Sequence, residues 1–164
     1  MTININLEGK MQIPYIPGYV RNSSSKEEKD LEEQNRAYIV LDKINYGFIE
    51  KLKANQVTIA YLVRGGDKGE QEASMLAKSV MAQLKQAREI LEENVVGFVN
   101  LFDQTGRPVT KEMLEQDAIF KFDVVENISI ELANFLTALK AEGVSKKLSL
   151  HSTTLQKKIT TTNS

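Results

Sequence analysis

Six residues of low polarity, Ala73, Ala77, Val80, Leu84, Ala87 and Leu91, recur at alternating four- and three-residue intervals in this chain. An α-helix turns once per 3.6 residues, so this spacing draws all six into one narrow apolar seam. The surrounding segment, residues 70–93, is rich in good helix formers and predicts a helix about 35 Å long at 1.5 Å per residue. A second seam, Val125, Ile128, Leu132, Phe135 and Leu139, repeats the same intervals, and Gly143 is placed to end that helix. Burying five such side chains would yield a gross gain of roughly ten kcal/mol, comparable with the net stability of a whole domain. Each seam therefore needs cover. The cover is either the rest of the same chain or a second protein, through self-association or client contact.

The remaining pattern supplies strands. Ile3, Ile5 and Leu7, then Met11, Ile13 and Tyr15, alternate with polar residues on either side of Glu8-Gly9-Lys10, as a half-buried β-hairpin requires. Pro14 and Pro17 lack amide donors, so they end the second strand or hold it at a sheet edge, and Gly18 turns the chain away. Residues 22–36 are a polar linker or short helix. Tyr38 to Leu41 reads as a buried strand, and Ile44, Phe48, Ile49 and Leu52 as a helical stretch. Val57, Ile59, Tyr61 and Val63 alternate cleanly up to Arg64-Gly65-Gly66-Asp67, which predicts a central strand. Residues 95–102 read as a strand buried on both faces, followed by the turn Asp103-Gln104-Thr105-Gly106-Arg107-Pro108 and a short helix capped by Thr110. Ala118, Phe120, Phe122 and Val124 fit either a strand or the approach to the last helix. The expected fold is α+β: an N-terminal hairpin and a small, mostly antiparallel sheet packed against two longer amphipathic helices, in one domain over residues 1–143.

The chain of 164 residues is long enough to bury a full core without metal or disulfide, and it contains no cysteine. Its net charge of −1 is unevenly spread: residues 144–164 carry Lys146, Lys147, Lys157 and Lys158 with no acid, which leaves −5 on the first 143 residues. We expect a basic, disordered tail behind an acidic body. The opening residues lack the basic start and apolar stretch of a secretory signal, and no run of apolar residues is long enough to cross a membrane. The expectation is a cytoplasmic protein.

Catalytic chemistry finds few candidates. The single histidine, His151, lies in the polar tail, where nothing expected nearby would hold a second group within hydrogen-bonding reach. The loop Gly65-Gly66-Asp67-Lys68-Gly69 has neither the Gly-Lys-Ser/Thr ending of a phosphate-binding loop nor dinucleotide-site spacing. Acidic pairs such as Glu27-Glu28 and Glu92-Glu93 have no histidine or cysteine to complete a metal site. Lysines and arginines of residues 70–93 are mixed with glutamates, which argues against a nucleic-acid face outside the tail. The chain is expected to be no enzyme, with no cofactor and no metal, working through protein contacts at its two seams.

The stretch Asn94-Val95-Val96-Gly97-Phe98-Val99-Asn100-Leu101-Phe102, the turn Asp103-Gln104-Thr105-Gly106-Arg107-Pro108 and the following Val109-Thr110-Lys111-Glu112-Met113-Leu114 resemble the tail assembly chaperones of long-tailed bacteriophages. The resemblance lies in the order of hydrophobic strand, Asp-x-x-Gly-x-Pro turn, short helix and final helix, with the opening hairpin, and covers about half the chain. It implies a non-enzymatic protein that coats the apolar tape-measure protein during tail assembly, keeps it soluble and gives way to tail-tube subunits. Two other classes fit the residues: a structural or adaptor protein retained in the virion, and a small regulator or host-defence antagonist that binds nucleic acid through its tail.

Overall fold

The computed structural model describes residues 9–64 and 70–141. Along the chain these form β1 (Met11–Tyr15), α1 (Gly18–Arg21), α2 (Lys26–Gln34), β2 (Ala37–Leu41), α3 (Tyr46–Arg64), α4 (Glu70–Glu93), β3 (Val95–Val99), a 3₁₀ helix (Lys111–Gln116) and α5 (Ala118–Ala141). The architecture is α+β, with a three-stranded antiparallel sheet in the order β1-β2-β3. The long helices number three among the described residues, since α3 joins α4 and α5.

Alternation decides which face of the sheet is covered. Met11, Ile13 and Tyr15 of β1 and Ala37, Ile39 and Leu41 of β2 are buried, whereas the residues between them are exposed or half-buried. Ile13 stands opposite Ile39, and Ile39 opposite Phe98, so the inward rows of the three strands are aligned. The inward face joins Ala87, Ile90 and Leu91 of α4 and Val124, Val125, Ile128 and Leu132 of α5 in one hydrophobic core. A register shift between Val40 and Leu41 brings Leu41 opposite Val95. β1 is an edge strand in this sheet and ends at Tyr15, as Pro14 and Pro17 require; the preceding half of the expected hairpin lies outside the described residues.

Side-chain caps set the helix starts. The Ser25 hydroxyl accepts the Glu28 amide at 3.3 Å, with Glu27 and Glu28 in the first turn of α2. Asn45 Oδ1 accepts the Phe48 amide at 2.9 Å at the head of α3. Asp117 Oδ1 accepts the Phe120 amide at 3.0 Å, which makes Ala118 onward helical and resolves the ambiguous alternation there.

Two expectations are corrected. Residues 57–63 are not a strand: they continue α3 to Arg64. No glycine or proline separates them from the helical stretch that precedes them, so a helix already nucleated propagates at little cost through the apolar alternation. Val57 and Tyr61 then fall four residues apart on the outer side of α3 and are exposed. The second correction concerns β3, which is an edge strand of the described sheet with Val96 and Val99 exposed, and not a strand covered on both faces.

A buried polar set fixes α1 against α5. Asn127 Oδ1 accepts from the Ile16 amide at 2.9 Å and from Arg21 at 2.8 Å, while its Nδ2 donates to the Pro14 carbonyl at 2.8 Å. Arg21 also meets Glu131 at 2.9 Å. Asp123 accepts from the Tyr15 hydroxyl at 2.6 Å and from the Gly18 amide at 3.0 Å. A Cβ at position 18 would stand 2.6 Å from Asp123 Oδ1, so any other residue there must displace this carboxylate from the Gly18 amide. Burial, and next the bond to Asp123, hold the Tyr15 proton on well above the ordinary phenol range, so Tyr15 remains a donor.

The turn after β3 is closed by one carboxylate. Asp103 Oδ1 accepts from the Thr105 hydroxyl at 2.7 Å, the Thr105 amide at 2.8 Å and the Arg107 amide at 3.0 Å, and Gly106 takes φ 83°. The Thr105 hydroxyl bond first, and the Arg107 amide next, lower the Asp103 pKa to about 2. A carboxyl whose folded pKa is depressed stabilises the fold above its unfolded value near ~4, and that contribution fades as pH falls toward ~2. In an NMR titration the Asp103 carboxyl carbon should therefore report a midpoint near about 2. Thr105→Val should move this midpoint upward; an unchanged midpoint in that variant contradicts the assignment of the cause.

Candidate protein-interaction surface

The two seams meet different fates. On α5, Val125, Ile128, Leu132 and Phe135 are all buried, and Leu139 packs partly against the core. That stripe is occupied within the chain. On α4 the stripe divides: Ala87 and Leu91 belong to the core, Leu84 is half-buried, and Ala73, Ala77 and Val80 are exposed. Val80 is 45% exposed, and Leu76, four residues before it, is 58% exposed. Each lies within one turn of the same helical face, so a single apolar stripe runs from the core outward into solvent.

This division follows from the packing of the helical hairpin. The Lys51 ammonium lies 3.8 Å from Glu89, and Asn55 donates to Gln86 at 2.9 Å, so α3 and α4 run antiparallel with the start of α3 beside the end of α4. The sheet and α5 cover α4 where Ala87, Ile90 and Leu91 lie. Toward Glu70 the helix carries its seam beyond that cover. On α3 the exposed Val57 and Tyr61 continue the apolar character of the same end of the hairpin. Neither was anticipated as surface, because a strand reading of residues 57–63 points alternate side chains inward.

The hairpin also borders open clefts of mixed polar and apolar lining. One of ≈ 520 Å³ lies between the start of α3 and the end of α4, lined by Lys43, Asn45, Lys51, Glu89, Glu92 and Glu93 among others. Its Lys51–Glu89 pair is solvent-exposed, and an open, screened pair of this kind adds little to stability. No helix among the described residues is long and apolar enough to cross a membrane. His151, the loop at residues 65–69, Gly143 and the lysines of residues 144–164 lie outside the described residues.

The polar set on α5 was legible in principle. Asp123, Asn127 and Glu131 recur every four residues in a helix with many apolar positions, which marks a polar stripe that must find partners. Of those partners, Tyr15 was assigned only to the strand and Gly18 to the turn after it, and Arg21 was given no place. No family model matches this chain, and no curated protein and no solved structure matches it.

Proposed function

We propose that this chain is a non-enzymatic protein-binding module that covers an apolar helical client, and that it serves as an assembly chaperone for the tape-measure protein of a phage tail. The observation that carries the reading is the α4 stripe, whose core end at Ala87 and Leu91 continues to the uncovered Val80, Ala77, Leu76 and Ala73. Leaving large apolar side chains in water forgoes about 1.5–3 kcal/mol for each that a partner could bury. A contiguous apolar stripe on a long helix is the geometry by which one helix receives another. The specific client comes from the resemblance of residues 94–114 to tail assembly chaperones, and the tube subunit is then the protein that displaces this chain.

Co-expression tests the reading directly. An apolar tape-measure fragment that is insoluble alone should move several-fold toward the soluble fraction when this chain is present, and the two should co-purify. Equal insolubility with and without the chain overturns the proposal. Recovery of this protein at a fixed ratio from purified particles would instead support the retained structural component.

A further inference from the structure

A second apolar groove, between α4 and α5, carries charge that the client stripe lacks. Met81, Leu84, Phe122 and Val125 line a cleft of ≈ 540 Å³ between α4 and α5, framed by Lys85, Arg88 and Lys121. Met81 is 68% exposed and Phe122 55% exposed, so the apolar lining is open to solvent. No carboxylate lines the groove. Lys121 holds Glu115 at 2.6 Å, whereas Lys85 and Arg88 have no ion pair among the described residues. An apolar trough with a cationic rim is complementary to an acidic helix that offers an apolar side chain.

The chain itself carries such an element. The helix α2 holds Glu27, Glu28, Asp30, Glu32 and Glu33 against Lys26 and Lys29, and buries no residue. Of the five carboxylates, only Glu32 is in an ion pair among the described residues, with Arg36. Leu31, in the middle of α2, is 62% exposed. Within one chain α2 cannot reach the groove, because it sits with α1, which is pinned to the Asp123–Asn127–Glu131 face of α5. The groove uses a different face, Lys121, Phe122 and Val125.

We propose that the α4–α5 groove receives α2 of a second copy of this chain, with Leu31 entering beside Phe122 and Met81 and the α2 carboxylates facing Lys85 and Arg88. The surface given differs from the surface received. Two chains that exchange α2 reciprocally close a two-fold dimer, and a one-way contact extends head to tail into open chains or rings. It uses neither Ala73, Leu76, Ala77 nor Val80, and shares only the half-buried Leu84 with the α4 stripe of the client reading.

Sedimentation velocity on the full chain tests this. At low salt the protein should show concentration-dependent oligomers, and raising the salt to a level where the Debye length falls to ~3 Å should weaken association about tenfold or more. The charge reversals K85E/R88E and, separately, E27K/E28K/E33K should each leave monomers with unchanged far-UV circular dichroism. A chain carrying both sets should associate again, because the complementarity is restored with its signs exchanged. A monomer at every concentration in low salt overturns the proposal. So do oligomers that neither reversal alters, which would place the contact elsewhere.

Discussion

Asn127→Ala should cost about 3 kcal/mol and lower the melting temperature by roughly 6–12 °C, the largest loss expected from removing a single polar side chain of this fold. Asn127 is only 2% exposed and serves both ends of its amide: the carbonyl oxygen takes the Ile16 amide and Arg21, and the amide nitrogen gives to the Pro14 carbonyl. Alanine leaves an N–H and a C=O at the end of β1 without partners where little water can reach them. Each such orphan costs about 1–3 kcal/mol, far more than the net gain of an ordinary hydrogen bond. Arg21 keeps Glu131, so its charge remains paired and the loss is not larger still.

Asn127→Asp separates this account from a packing effect. The aspartate has nearly the same shape and still accepts from Ile16 and Arg21, yet it turns an acceptor toward the Pro14 carbonyl where a donor is required. It should therefore fail to restore wild-type stability. Thermal unfolding followed by circular dichroism reads both variants. A melting temperature for Asn127→Ala within about 2 °C of the parent would mean that water satisfies these groups, and that α1 is held by other contacts.

How far the sequence revealed this molecule depends on where the deciding interaction lies. The helix at residues 70–93 was readable because its apolar spacing and length agree, and the strand read at Tyr38 to Leu41 because its apolar run is continuous. Residues 57–63 misled because alternation over so few residues fits both periods; the missing breaker between Leu52 and Val57 was the better guide. β3 misled in another way: its continuous apolar run suggests two covered faces, but in a three-stranded sheet it takes an edge, and Val96 and Val99 remain outside. Seam positions could be named from spacing alone. Which half of the α4 seam is covered depends on how far α5 and the sheet extend along it, and that is a property of the assembled fold.

The same stripe provides the sharpest contrast, because Leu91→Asp and Val80→Asp place the same charge on one helical face at its two ends. Leu91 is 2% exposed within the core, so an aspartate there would be an unpaired carboxylate in an apolar setting and should cost about 4 kcal/mol or more. With a total stability of ~5–15 kcal/mol for a domain, that variant should be largely unfolded or melt far below the parent. Val80 is 45% exposed, so its aspartate reaches water, and valine and aspartate have similar helix propensities. Its stability should stay within about 0.5 kcal/mol of the parent. If the outer stripe is the client surface, Val80→Asp combined with Leu76→Asp should nonetheless abolish the solubilising effect on a tape-measure fragment, because a charge set into an apolar contact must be desolvated without a partner. Full folding with lost client protection places function at the outer end of the seam. Retained protection in a folded double variant moves the client surface off α4, and a melting loss at Val80 as large as at Leu91 means that the outer stripe is core.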